Sequence, residues 1–180
     1  MLKTTLATLA LGLAATAPLH AQVSQDEDAA YKPRLNACLV DEDYACAVDT
    51  LIEFGRSTPL GIVVSQGKPT VLGIQLFGSI DMASQNLSPA ETRDLAERAL
   101  NFVLDKQPDS GTAPAPFVLL MGEACLAQGD LDCVRTAIQP LQMWMGAGQM
   151  YIKTSAEGTG KPDTQTRIIE LSKGFREAGG

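Results

Sequence analysis

Cys38, Cys46, Cys125 and Cys133 are all the cysteine in this chain, and they stand in two pairs at one C-x7-C spacing, within ACLVDEDYAC and ACLAQGDLDC. Thiols can bridge, ligate a metal or exchange disulfides. Exchange chemistry favours C-x-x-C with a depressed thiol pKa, and neither passage has that spacing. Along one unbroken helix, eight positions would hold the paired α-carbons about 12 Å apart, whereas a disulfide needs about 4.4–6.8 Å. A bridge therefore demands a chain reversal between its cysteines. Asp41, Glu42 and Asp43 supply turn chemistry in the first passage, and Gln128, Gly129 and Asp130 in the second. Two other pairings and a four-thiolate metal site are formally open, but the shared local context favours a structural bridge within each passage.

Other residues suggest chemistry and then lack its partners. Ser65 and Lys68 have the S-x-x-K spacing in which lysine activates a serine nucleophile, yet Gly67 and Pro69 place them in a loop and not at a helix start. GTGK, residues 158–161, has the look of a phosphate loop, but the earlier glycine is missing and Pro162 stands where a Ser or Thr would hold magnesium. The acidic runs Asp26, Glu27, Asp28 and Asp41, Glu42, Asp43 follow no EF-hand pattern and read as a solvated leader and a solvated turn. Met143, Met145 and Met150 surround Trp144, with Tyr151 beside them. Thioethers can hold Cu(I), and methionine surfaces can grip varied partners. Helix packing is the plainest reading of this segment. A partner-binding surface over Met143, Trp144, Met145, Met150 and Tyr151 comes next, and a copper or small-ligand carrier after it.

The first residues, MLKTTLATLALGLAATAPLHAQ, read as a secretory signal cleaved after Ala21, with Lys3 ahead of an apolar run too short for a membrane span. Removal of residues 1–21 takes away Lys3 and His20, leaving 13 basic against 21 acidic residues, a net charge of −8 where the whole chain has −7. The mature chain then has no histidine. That disfavours general-base triads, most zinc sites and haem attachment. The acidity argues against nucleic acid and anionic membranes as partners, because phosphate binding needs clustered Lys and Arg. The predicted location is periplasmic or secreted, without membrane insertion. No catalytic residue, metal or cofactor is predicted, and a carboxylate-based envelope enzyme is the remaining enzymatic alternative.

The elements that must position these residues are helical. Leu120, Met121, Ala124 and Ala127 recur at three- and four-residue spacing. LFGSIDMA, residues 76–83, matches LMGEACLA, residues 120–127, with Leu76, Gly78 and Ala83 each 44 positions before Leu120, Gly122 and Ala127. Cys38 to Cys125 is 87 positions, close to two such steps. A middle hairpin is then predicted to turn near residue 86. Its first helix starts after Pro69 and carries Val71, Ile74, Phe77 and Ile80. Its second opens on Ser88, Pro89 and Glu91, which together form a helix-start signal. Leu95, Ala99, Phe102 and Val103 give that helix an apolar face, with Arg93–Glu97 and Asp94–Arg98 as solvent-side pairs. Residues 22–30 form a flexible acidic leader and 57–68 an extended or irregular linker. Pro140 predicts a kink or a fresh helix. A terminal helix with Ile168, Leu171 and Phe175 on one face closes the chain.

With GEACLAQGDLDCV, residues 122–134, the pattern resembles the tetratricopeptide and Sel1-like helical repeats, through Gly122, the Gly129–Asp130 turn and Val134. The period is longer than that of the family, and Leu35 stands where the later hairpins have glycine. The resemblance implies an all-α fold of three stacked helical hairpins, about 31–56, 70–106 and 116–147, in a short solenoid with a capping helix at about 163–177. It also implies a non-enzymatic module that binds another envelope or secreted protein as an adaptor or assembly factor.

Overall fold

The computed structural model describes residues 31–58, 61–65, 68–109, 111, 113–146 and 162–180. The signal and leader, residues 1–30, lie outside the described residues. Residues 31–40 form α1, and the acidic run 41–43 reverses the chain into α2, Tyr44–Ser57. The reversal uses the chemistry of its residues. Glu42 takes a left-handed φ of 54°, and the Asp43 side chain caps α2 by accepting from the Cys46 N–H at 2.9 Å.

After α2 the chain runs extended. Val64–Ser65 (β1) pairs antiparallel with Lys68–Pro69 (β2), Val64 opposite Pro69 and Ser65 opposite Lys68. Gln107 takes the part of a neighbouring strand: its Oε1 accepts from the N–H groups of Val63 (2.7 Å) and Val64 (3.2 Å), and its Nε2 donates to the Val64 carbonyl (2.8 Å). This one amide satisfies backbone groups that a short ribbon would otherwise leave unpaired.

Thr70 caps α3, Val71–Ala83, by accepting from the Gly73 N–H at 3.1 Å. The helix passes so close to the extended segment that a side chain at Gly73 would run into the Val63 carbonyl. That approach sets which side of α3 faces inward. Leu72, Leu76, Phe77 and Ile80 are buried, whereas Val71 and Ile74 are 68% and 50% exposed. Helix α4, Pro89–Lys106, starts on the predicted reciprocal capping box of Ser88 and Glu91 with Pro89 in its first turn. Leu95, Ala99, Phe102 and Val103 are all buried. Arg93–Glu97 (2.8 Å) and Arg98–Asp94 (3.0 Å) pair along the outer side.

Helix α5, Ala115–Gln128, ends at Gly129 in the left-handed region, φ 74°, and α6 spans Leu131–Gly146. Pro140 lies inside α6, so the predicted fresh helix is not formed there. A proline forfeits one intrahelical hydrogen bond. Val134, Ala137, Ile138 and Leu141 continue one buried stripe across it, and that packing carries the helix on to Gly146. Helix α7, Thr164–Glu177, is capped by Asp163 and buries Ile168 and Leu171, with Phe175 half-buried.

Helix α2 packs on α3 and α4, α4 on α5, α5 on α6, and α7 on both α5 and α6. One core cluster gathers Leu51, Leu76, Ile80, Phe102 and Phe117. A second gathers Leu119, Val134, Leu141, Ile168 and Leu171. At Gly122 the last three helices meet: an added Cβ would stand 2.9 Å from both Ala137 Cβ and Leu171 Cδ2. The fold is all-helical apart from the ribbon. Among the described residues, no helix is long and apolar enough to cross a membrane.

Candidate functional site

The cysteines bridge as the turns require. Cys38–Cys46 and Cys125–Cys133 are disulfides with α-carbons 5.6 and 5.9 Å apart, and they are compatible with an oxidising environment. An aspartate accompanies each bridge in the same place. Asp43 accepts from the Cys46 N–H at 2.9 Å, and Asp130 from the Cys133 N–H at 3.1 Å. The Asp130 carboxyl, Cys125 and Cys133 lie within 4.8 Å of one another, but sulfurs bonded to each other have no thiolate to give a metal. Asp130 acts as a helix cap. The Cys133 N–H, and then the Arg93 guanidinium, hold its carboxyl below the ordinary range.

Ser65 and Lys68 face each other across the two-residue ribbon, not along a helix start. Met143 is 64% exposed on the last turn of α6, while Trp144 and Met145 are half-buried against the second core cluster. Met150, Tyr151, residues 158–161 and Asp26–Asp28 lie outside the described residues.

The turns of the successive helix pairs lie side by side. Arg93 on α4 reaches Asp130 in the third turn at 3.0 Å, and Gln128 Nε2 donates to the Pro89 carbonyl at 3.3 Å. Arg98 binds Asp49 on α2 at 2.5 Å. This alignment opens a hollow of about 580 Å³ between the first two turns, lined among others by Glu42, Asp43, Tyr44, Leu87, Glu91 and Asp94. Among the described residues its lining cation is Arg98, bound to Asp49 and Asp94. Hydrogen bonds from the Ser88 hydroxyl and then the Ser88 backbone N–H hold the Glu91 carboxyl low. A narrower cleft of about 150 Å³ adjoins it between α4 and α5, lined by Leu87, Thr92, Leu120, Glu123, Ala124 and neighbouring residues. Leu87 borders both, and α4 runs between them. Thr92 is 5% exposed, and its buried hydroxyl has no hydrogen-bond partner among the described residues.

Glu123 links this cleft to an ion cluster that sequence reasoning missed. Arg167 on α7 donates from Nε to Glu123 Oε1 at 2.8 Å and from Nη2 to Glu123 Oε2 at 2.5 Å, and Nη2 also reaches Asp81 Oδ1 on α3 at 2.9 Å. Burial pulls the Arg167 guanidinium down, but the bond and charge of Glu123 and the charge of Asp81 outweigh it, so its pKa is raised overall. The Phe77 ring lies 5.7 Å from the guanidinium carbon. Two signals could have revealed the cluster. Arg167 sits beside Ile168 on the apolar side of the terminal helix. Counting 44 positions back from Cys125 lands on Asp81, a carboxylate where the neighbouring repeat has a buried cysteine.

Compared with protein-family models, curated proteins and solved structures, the chain matches none.

Proposed function

We propose that the chain is a secreted or periplasmic interaction module, a tetratricopeptide-like adaptor or assembly factor for another envelope protein. Its helix pairs α1–α2, α3–α4 and α5–α6 read as three successive hairpins, with α7 as the cap. The observation that carries this reading is the hollow between the first two turns. A concave surface with an apolar floor and a polar rim suits macromolecular recognition. The borders of that surface are well fixed. A disulfide, the Asp43 cap and the Ser88–Glu91 box hold the two turns on its rim, and preorganisation of this kind lowers the entropy cost of binding.

The reading is tested by cross-linking the chain in its native envelope from photoreactive side chains placed at Ala90 and Ala127. Recovery of one defined protein from these positions, and not from a control position at exposed Ile169, is the expected result. Recovery of no protein, together with turnover of a small molecule by the purified chain, would overturn it.

A further inference from the structure

We propose that the outer side of α3 is the interface of a two-fold dimer, in which α3 packs antiparallel against α3 of a second copy of the chain. The hollow between the first two turns has no α3 residue in its lining. The inference therefore goes beyond the interaction-module reading and does not depend on it.

Helix α3 is apolar on both sides. Leu72, Leu76, Phe77 and Ile80 serve the core, and its one charged residue, Asp81, is buried against Arg167. The other side is a stripe of Val71, Ile74, Gly78 and Met82, with Val71 68%, Ile74 50% and Met82 42% exposed. At 3.6 residues per turn these four fall within an arc of about 80°. A helix that is hydrophobic all round is ordinarily buried all round, whereas this stripe faces outward from the described residues.

Two observations point to a second copy as its cover. The first is spacing. Antiparallel packing about the middle of the stripe sets Val71 opposite the partner's Met82 and Ile74 opposite the partner's Gly78, and the two-fold axis repeats both pairs. Each branched side chain then meets either a glycine, which leaves it a hole, or a methionine, which adapts to the space it finds. The stripe is thus its own complement, as an isologous interface requires. Beside Val71 lies a hollow of about 320 Å³, lined by Tyr31, Phe54, Leu72 and Gln75 among others, with room for the thioether of the partner's Met82.

The second observation is charge. The charged residue lining the hollow at the Val71 end is Lys32, and Arg56 follows two residues after Phe54. Residues 35–55 and 69–92 contain no Lys or Arg, so the Met82 end is acidic. There the first turn presents exposed Asp41 and Glu42, and Glu42 shares a hollow with Leu87 of the second turn. Antiparallel packing lays each basic end over an acidic one, whereas parallel packing would set like charges together. This pairing offsets the repulsion between two acidic chains. A stripe of four residues covers far less than the roughly 800 Å² per partner of a standard interface, so the dimer is reversible, with a Kd on the order of 10–100 μM.

The test is sedimentation velocity of the chain lacking residues 1–21, both disulfides intact, from about 1 to about 500 μM, a range that brackets this Kd. The expected result is a concentration-dependent shift from one copy to two. Ile74→Lys, at a half-exposed position, should weaken the dimer at least about tenfold, because it buries two unpaired charges, while the helical circular dichroism spectrum is retained. Lys32→Glu should weaken it about fivefold, and Glu42→Lys in the same chain should restore it. A photoreactive side chain at Met82 should cross-link to residues 70–75 or to Tyr31 and Lys32 of the second copy. A chain that stays monomeric to the top of the range overturns the proposal, as does a dimer indifferent to Ile74→Lys. Cross-links from Met82 to Met82 show parallel packing and overturn it too. Capture of another envelope protein from Met82, in place of a second copy, overturns it by giving the stripe a different cover.

Discussion

Asp81 and Arg167 lie 86 positions apart and meet through a 2.9 Å ion pair at 0% and 2% exposure, which fastens the terminal helix α7 to α3 across the edge of α5. The apolar contacts of α7 are to α5 and α6, so this pair is a directional tie between the last helix and an earlier one. Removing one member of a buried pair strands the other charge and costs about 3–5 kcal/mol. Arg167→Ala strands Asp81 and should lose stability on that scale in urea denaturation, whereas Asp81→Ala leaves Arg167 held by Glu123 and should lose less. The double variant Asp81→Leu with Arg167→Met removes both charges and should be more stable than either single one, because Glu123 can still reach water. A double variant as unstable as the sum of the singles would show that α7 is held by packing alone.

Gln107 makes a different kind of tie. It bridges Val63 and Val64 to the end of α4 through three hydrogen bonds, and each such bond contributes about 0.5–1.5 kcal/mol net. Gln107→Ala should cost roughly 1–3 kcal/mol by the same measure and should speed hydrogen exchange at the Val63 and Val64 amides. The α5 and α6 amides should be unaffected. Unchanged protection at Val63 would mean that the ribbon is held by Thr70 and the core without this side chain.

Local signals were legible in the sequence, and long-range ones were not. Ser88, Pro89 and Glu91 determine the start of α4 through contacts within one turn, so their types and spacing suffice. The cysteine pairs are equally local, since a reversal within eight positions follows from bond lengths. The orientation of α3 is different. Its two apolar sides compete, and the near approach of Gly73 to Val63 decides which one faces inward, an event between segments rather than within one. Pro140 left two outcomes open for a related reason: only the buried stripe of Val134, Ala137, Ile138 and Leu141, which outweighs one lost hydrogen bond, decides that α6 continues through it. The hollow between the first two turns was least legible of all. Glu42, Leu87 and Asp94 belong to separate turns and helices, and only the packing of α2 against α4 gathers them.

The caps give the chain a defined acid sensitivity. Asp130 and Asp163 are held below their ordinary 3.8, chiefly by the backbone N–H groups of Cys133 and Thr166, and Glu91 below 4.5 chiefly by the Ser88 hydroxyl. A carboxyl whose folded pKa is depressed contributes stability above its unfolded pKa and loses it as pH falls through the folded value. The melting temperature should therefore hold steady from neutral pH to about 5 and fall below about 4. Asp130→Asn with Asp163→Asn should flatten that fall, since Asn caps without titrating. A double variant with the same acid slope as the parent would place the sensitivity elsewhere.

The two bridges should matter for stability more than for recognition. Closing a loop of about eight residues removes chain entropy worth roughly 2.5 kcal/mol, and each bridge constrains one reversal. Cys125 and Cys133 lie outside the lining of the hollow, while Cys38 and Cys46 flank Glu42, Asp43 and Tyr44, which line it. That rim has a second restraint in the Asp43 cap, and Tyr44 is buried. Paired Cys→Ser replacement at either bridge should lower the melting temperature clearly. At temperatures where the fold persists, partner cross-linking from Ala90 should change by less than about twofold, because a preorganised surface loses affinity only when its own restraints are released. If Cys38→Ser with Cys46→Ser abolishes partner cross-linking while the helical spectrum survives, the first bridge positions the rim of the hollow directly, and the Asp43 cap is insufficient to hold it.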